Sequence, residues 1–228
     1  QKESTPSRGR FYSHQHLVYQ EVNLLRLAQG LALAMTLILA LSGPFAGSAQ
    51  AQSAQDMLAE KVLGKADAPV TMIEYASLSC PHCREFHEKT LPAIKEKYID
   101  TGKVKLIFRD FPLGQRALAA HMVASCAGPV RYFAMLSILF RDQAIWAQAP
   151  DGLAAIQATA KKGGMSPSQV DSCLRNEDLL QGIQKTAEAG NKEHGVDSTP
   201  FFIVAGEKVS GAQDFKVFEE IIERALKK

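Results

Sequence analysis

Residues 69–86 read PVTMIEYASLSCPHCREF and place two cysteines, Cys80 and Cys83, where one structural pattern replaces another. The segment before the cysteines is rich in β-branched and apolar residues, which predicts a strand buried on both faces. From Pro81 onward the apolar residues recur every three to four positions, which predicts an amphipathic helix that Pro92 should kink. The cysteine pair therefore lies at the junction between a buried strand and the start of a helix.

The pattern around this junction predicts one α/β domain. A second strand over 103–113 completes a β-α-β unit, and a weak helical turn is expected before it, around 57–62. Helical periodicity then continues without a convincing strand through about 114–195. A hairpin over 201–210 and a closing helix over 214–227 return to the α/β pattern. Because the early and late strands must share one sheet, the helical block is read as an all-helical insertion into a β-α-β … β-β-α fold.

Composition narrows the classes of function. The chain has 228 residues, is 46% hydrophobic and carries a formal net charge of +2. The basic excess lies in residues 1–51, so residues 52–228 have no net charge. The absence of a net positive charge on residues 52–228 argues against nucleic-acid binding that is driven by attraction to phosphates.

Residues 1–51 resemble a secretory signal peptide. A basic residue, Arg26, precedes an apolar run over 31–41, and the small-x-small sequence at 49–51 suits cleavage by a signal peptidase. Because the segment before Arg26 is long and polar, translation is expected to start near Val22. An uncleaved membrane anchor is the alternative. Export would place all four cysteines of the mature chain, residues 52–228, in a compartment where disulfides persist.

The spacing of Cys80 and Cys83 is compatible with a metal site completed by His87, with a structural disulfide, or with a redox pair. The second half of a zinc-binding motif is missing, and a disulfide across so short a loop would stabilise little. The redox interpretation has positive support, because the free N–H groups and dipole of a helix N-terminus stabilise a thiolate at Cys80. Cys80 is then the nucleophile and Cys83 the resolving thiol. The ring of His82 is expected to stabilise the thiolate further, unless it is an ordinary exposed residue.

The CPHC sequence after a strand, the helical insertion, and a Thr-Pro pair before the returning strand together resemble the DsbA family of periplasmic thiol–disulfide oxidoreductases. The resemblance covers essentially the whole mature chain and implies a thioredoxin-like fold. It also implies a low pKa for the nucleophilic thiol and a strongly oxidising potential. Thr199-Pro200 matches the cis-proline pair of the family, which packs against the disulfide. With Pro81, these residues are expected to form the substrate-binding surface.

Glu74 lies six residues before Cys80, where the family has a buried acidic residue. A carboxyl group inside an apolar strand requires a reason, because its burial is costly. The resemblance implies that Glu74 exchanges a proton with Cys83. The alternative is that Glu74 pairs with a lysine and only shapes the fold.

The remaining cysteines, Cys126 and Cys173, fall beside apolar residues in the helical block. A second, structural disulfide between them is the preferred interpretation, because the expected compartment is oxidising. Two separate core cysteines are the alternative. Simple members of the DsbA family lack this pair, so it would mark a subgroup.

The sequence therefore predicts a monomeric periplasmic enzyme that introduces disulfide bonds into exported proteins. The expected partners are reduced, unfolded exported proteins and a quinone-linked membrane oxidase that restores the Cys80–Cys83 disulfide. No cofactor, metal or nucleic acid is expected. A disulfide isomerase or reductase of the same fold is one alternative, and a metal-binding or chaperone-like module is another.

Overall fold

A computed structural model of the protein describes residues 53–228. Its five strands form one mixed sheet in the order β1-β3-β2-β4-β5. The strands are β1 (Lys61–Leu63), β2 (Val70–Ala76), β3 (Val104–Asp110), β4 (Phe201–Val204) and β5 (Glu207–Ser210). Central β2 pairs in parallel with β3 and antiparallel with β4.

The helices around the sheet follow the predicted order. A short α1 (Ala54–Leu58) precedes β1, and α2, the continuous helical segment 81–99, connects β2 to β3. The block between β3 and β4 contains α3 (Gln115–Cys126), α4 (Tyr132–Arg141), α5 (Gln143–Ala147), α6 (Gly152–Lys162), α7 (Pro167–Leu174) and α8 (Glu177–His194). Helix α9 (Phe215–Leu226) closes the domain. The α/β fold with an all-helical insertion is confirmed.

Both faces of β2 are covered, as its apolar composition predicts. On one face Met72 packs with Phe86 of α2 and Phe218 of α9, and all three side chains are inaccessible to solvent. Complete burial of each phenylalanine contributes roughly 2–3 kcal/mol. On the other face Tyr75 lies against α8, where a Cβ atom added to Gly190 would approach the Tyr75 ring to 2.4 Å. The absence of a side chain at Gly190 therefore allows α8 to pack closely on the sheet.

Helix α2 is irregular on both sides of Pro92, the residue at which the sequence predicts a kink. Its α-helical segments Pro81–Glu85 and Leu91–Ile94 alternate with π-helical segments Phe86–Thr90 and Lys95–Ile99. Leu91 donates its N–H to the carbonyl of Phe86, five residues earlier. Pro92 has no N–H to donate and its ring excludes the normal carbonyl contact one turn before it, so the helix widens ahead of the proline.

The first strand was not predicted. The helical turn expected over 57–62 ends earlier, at Leu58, and Lys61–Leu63 pair antiparallel with Leu106–Phe108 of β3. A three-residue edge strand is too short to show a period of two, and its hydrogen bonds come from a partner more than 40 residues away. Its position therefore depends on the sheet rather than on its own sequence.

The predicted signal peptide, residues 1–51, lies outside the described part of the chain. Within residues 53–228, none of the helices is both long and apolar enough to cross a membrane.

Candidate active site

The active-site loop, residues 77–80, carries the chain from β2 to α2. Cys80 is the N-cap of α2, with extended backbone angles (φ −81°, ψ 121°), and Pro81 occupies the first helical position. Proline suits this position because the N–H that it lacks would have no partner within the helix. Both thiols are reduced; Cys80 is 7% exposed and Cys83, one turn later, is fully buried.

The surroundings of Cys80 lower its pKa from 9.0 to about 5. The largest contribution is a hydrogen bond from the Cys83 thiol to the sulfur of Cys80, and burial acts in the opposite direction. Thr199 and the backbone N–H groups of Cys83 and His82 also favour the thiolate. The helix N-terminus thus supplies donors to the sulfur, as the sequence predicted.

The pKa of Cys83 is shifted in the opposite direction, upward. Burial raises its pKa well above the ordinary thiol value, and the hydrogen bond to Cys80 and the nearby charge of Glu74 raise it further. At neutral pH Cys80 is therefore the thiolate and Cys83 the thiol. Two neighbouring sulfurs with opposite protonation preferences are suited to disulfide exchange, in which one sulfur must attack and the other must remain protected.

Thr199 and Pro200 reach the pair from a distant part of the chain. The Thr199–Pro200 peptide bond is cis, and the Cys80 thiol donates to the Thr199 carbonyl at 3.3 Å. The Thr199 hydroxyl is buried and has no hydrogen-bond partner among residues 53–228, so it is available to donate to the Cys80 thiolate, whose pKa it lowers. Pro200 is buried beside the site, whereas Pro81 is exposed.

His82 occupies the expected position but contributes through a different group. Its side chain is 72% exposed, and its Nδ1 lies 3.7 Å from a carboxylate oxygen of Glu85. The backbone N–H of His82, rather than its ring, lowers the pKa of Cys80. The thiolate stabilisation that the sequence assigned to the imidazole is therefore supplied by the main chain.

Glu74 is completely buried in β2 and pairs with His87 of α2. The Nε2 atom of His87 lies 3.0 Å from both carboxylate oxygens. The His87 ring stacks on Phe140 of α4, with ring centroids 4.2 Å apart. A lysine partner for Glu74, the alternative that the sequence allows, is therefore wrong. The sequence predicts His87 only as a possible third metal ligand beside the cysteines, although its place one turn after Cys83 on the same helix puts it near the site.

The metal interpretation of this site depends on His87 joining the two cysteines. Residues 53–228 contain no group of three or more histidine, cysteine or acidic side chains arranged to hold a metal ion. The Nε2 atom of His87 is hydrogen-bonded to Glu74.

Comparison with known proteins agrees with this geometry. A family model described as thioredoxin matches residues 56–224. The crystal structure of α-DsbA1 from Wolbachia pipientis is 32% identical and has a TM-score of 0.69; the match covers 73% of this chain and 90% of that protein.

The chain belongs to the DsbA-like branch of the thioredoxin family. BdbD from Bacillus subtilis, in its oxidised crystal structure, is another similar protein, with 26% identity and a TM-score of 0.68 over 74% of this chain and 94% of BdbD. A Rickettsia typhi protein named as a protein-disulfide oxidoreductase is 30% identical over 148 residues, which is 64% of this chain. The chain spans 55% of the length of that relative.

Within residues 53–228, this DsbA-like chain contains one disulfide, and it is remote in sequence from the CPHC motif. Cys126 at the end of α3 and Cys173 in α7 are bonded, with an S–S distance of 2.05 Å and Cα atoms 6.1 Å apart. The bond connects positions 47 residues apart within the helical block. Cys173 is 5% exposed, and the Cys126 sulfur lies 3.3 Å from that of Met57 in α1.

Proposed function

We propose that this protein is a thiol–disulfide oxidoreductase that introduces disulfide bonds into exported proteins through a Cys80–Cys83 redox pair. The observation that carries the proposal is the opposite displacement of two neighbouring thiol pKa values, lowered to about 5 at Cys80 and raised at Cys83. A stabilised thiolate favours the reduced enzyme, so its disulfide tends to oxidise other dithiols. The DsbA-like relationship supports the same conclusion.

The reaction consists of two exchanges at sulfur. A substrate thiolate attacks the Cys80 sulfur of the enzyme disulfide; a bond forms between substrate and Cys80 while the Cys80–Cys83 bond breaks. Since burial raises the pKa of Cys83, this sulfur must accept a proton as it leaves. A second substrate thiolate then attacks the substrate sulfur of the mixed disulfide, and Cys80 leaves as a thiolate. The substrate loses two electrons and the enzyme disulfide gains them.

The remaining residues of the site have supporting roles in this reaction. Glu74, buried near Cys83, exchanges the proton that Cys83 accepts on leaving and loses on reoxidation. Thr199 and Pro200 present backbone to an extended substrate segment beside Cys80, and Pro81 borders the same surface. His82 contributes its N–H to the thiolate and presents its exposed ring to the approaching substrate.

The cellular setting belongs to the same proposal. Cleavage of residues 1–51 as a signal peptide would release the domain into the periplasm, where disulfides persist. The enzyme would act as a monomer on reduced, unfolded exported proteins and need no bound cofactor. A quinone-linked membrane oxidase would accept its electrons and restore the disulfide.

The test is equilibration of the protein against glutathione buffers, followed by mixing of the oxidised form with a reduced two-cysteine peptide. A potential well above that of thioredoxin, about −270 mV, and stoichiometric oxidation of the peptide are expected. A potential near the thioredoxin value, or repair of a misfolded disulfide without net oxidation, would instead identify a reductase or isomerase. If the protein still binds and protects the peptide after Cys80 has been alkylated, the result would indicate a binding module instead of an enzyme.

A further inference from the structure

The active-site loop is held by a polar side chain from the helical insertion. Gln143, the first residue of α5, is 3% exposed although its side chain ends in an amide. Its Nε2 donates to the carbonyl of Leu78 at 2.7 Å and to the carbonyl of Cys80 at 2.9 Å. Both amide hydrogens are therefore used on the loop, 65 and 63 residues away in sequence.

A second side chain of the insertion holds the same loop from its N–H side. His121 of α3 is fully buried, and its Nε2 lies 3.1 Å from the backbone nitrogen of Leu78. A backbone N–H can only donate, so Nε2 must be the unprotonated nitrogen and the proton of the neutral ring lies on Nδ1. Nδ1–H then donates to Asp110 at the end of β3.

Asp110 anchors this arrangement in the sheet. Its Oδ1 also lies 3.4 Å from the hydroxyl of Tyr132 in α4. Burial and the charge of Asp110 raise the pKa of Tyr132 well above its ordinary value, so the phenol remains a donor. Two donors thus hold the Asp110 carboxylate, and that carboxylate holds the His121 tautomer that accepts from Leu78.

We propose that Gln143 and His121, together called the loop clamp, are positioning residues that set the reactivity of Cys80. The inference rests on the proposed function, since it concerns the sulfur that this function makes the nucleophile. The clamp binds both polar groups of the Leu78 backbone and the carbonyl of Cys80. It therefore fixes the peptide plane between Cys80 and Pro81, from which the first turn of α2 begins.

The geometry explains how so remote a contact acts on the sulfur. The donors that lower the pKa of Cys80 include the backbone N–H groups of His82 and Cys83, in the first turn of α2. Those N–H groups point at the sulfur only while the preceding peptide plane keeps its orientation. Without the clamp the Cys80 carbonyl retains the N–H of Arg84 at 3.2 Å and the Cys80 N–H retains the Ser77 carbonyl at 3.1 Å, so the helix can still form. The Leu78 backbone, however, loses the partners of both its N–H and its carbonyl.

The clamp also gives the helical insertion a chemical role. An apolar residue of similar volume would fill the space of Gln143 without the cost of burying an amide, but it would leave the carbonyl of Leu78 without this donor. Redox reactivity at the CPHC motif is thus tuned by residues that lie outside the β-α-β unit carrying it.

The experiment replaces each clamp residue and measures the pKa of Cys80 alone. Gln143→Met removes both donors at nearly constant volume, and His121→Leu removes the acceptor for Leu78. Gln157→Met is the matched control, because Gln157 lies in the same insertion and donates to Asp171 at 2.6 Å, away from the loop. The rate of Cys80 alkylation is followed against pH by mass spectrometry, with the Cys126–Cys173 disulfide intact.

Each clamp variant is expected to raise the pKa of Cys80 by about 0.5 to 1 unit, the equivalent of one ordinary hydrogen bond. The control should leave this pKa unchanged even if it lowers the unfolding midpoint. His121→Gln, whose amide oxygen can accept from Leu78, should recover part of the loss. If Gln143→Met does not fold, Gln143→Asn provides the same measurement, because it retains the amide but withdraws it from the loop.

Two results would overturn the inference, and they are distinguishable. A low Cys80 pKa in the wild type that is unchanged in the folded clamp variants would refute the clamp and leave the proposed function standing. An ordinary thiol pKa in the wild type would refute the proposed function and the clamp together.

Discussion

Lowering the pH should selectively destabilise the reduced protein, because only that form contains the Cys80 thiolate. The folded protein lowers the pKa of Cys80 to about 5, against 9.0 for an unperturbed thiol. Since the charged form is the one favoured by folding, the stabilisation is complete above the unfolded pKa and is lost as pH falls through the folded pKa. Between these limits it grows with pH.

The magnitude at pH 7 follows from this interval. Neutral pH lies about two pH units above the folded pKa of about 5, and the stabilisation gained over that interval is about 2.7 kcal/mol at most. The sulfur is close to the surface, so solvent screening should reduce the contribution to about 2 kcal/mol. In the oxidised protein the bonded sulfurs do not titrate, and the other titrating groups are common to both forms.

The assay compares urea unfolding of the oxidised and reduced proteins at several pH values from 5 to 8, with the Cys126–Cys173 disulfide intact. The free energy of unfolding of the reduced form, relative to the oxidised form, should rise by about 2 kcal/mol between pH 5 and 7. Cys83 remains a thiol across this range in both folded and unfolded chains. Reduced Cys80→Ser should lack the rise. A difference that is flat with pH, or that falls, would refute the thiolate assignment.

Three further predictions concern the four cysteines and Glu74. Cys80→Ser should abolish oxidation of a reduced peptide, whereas Cys83→Ser, incubated with a disulfide-bonded peptide, should accumulate a mixed disulfide visible on non-reducing gels, because the Cys80 thiolate displaces one peptide sulfur and no Cys83 thiol resolves the bond; trapping by the first variant instead would exchange the two roles. Glu74→Gln should slow thiol exchange at neutral pH, measured by stopped flow, with little change in the unfolding midpoint, and the reverse pattern would make Glu74 structural. Replacing both Cys126 and Cys173 by serine should cost about 4 kcal/mol from the chain entropy of a loop of this length, as measured by urea unfolding; unchanged stability would contradict that entropic account.

The sequence by itself determined the elements whose signals are local. The strand before Cys80, the helix after it, its irregularity near Pro92 and the helical character of the insertion are all read from residues within one or two turns of each other. Apolar residues recur every two positions in a strand and about every 3.6 positions in a helix, and this spacing shows which face of the element is buried. It can therefore be read without knowing which elements pack against that face. The position of Cys80 at a helix N-terminus follows from the same local pattern.

Only the tertiary structure decided which polar side chains meet. The sequence offered no reason to pair Glu74 with His87 rather than with a lysine, or to direct Gln143 and His121 to the loop before Cys80. A buried hydrogen bond requires two groups within about 3 Å, and for residues far apart in the chain that distance is set by how whole helices pack on the sheet. The same reason explains why the sequence did not reveal strand β1, whose hydrogen bonds are made with β3.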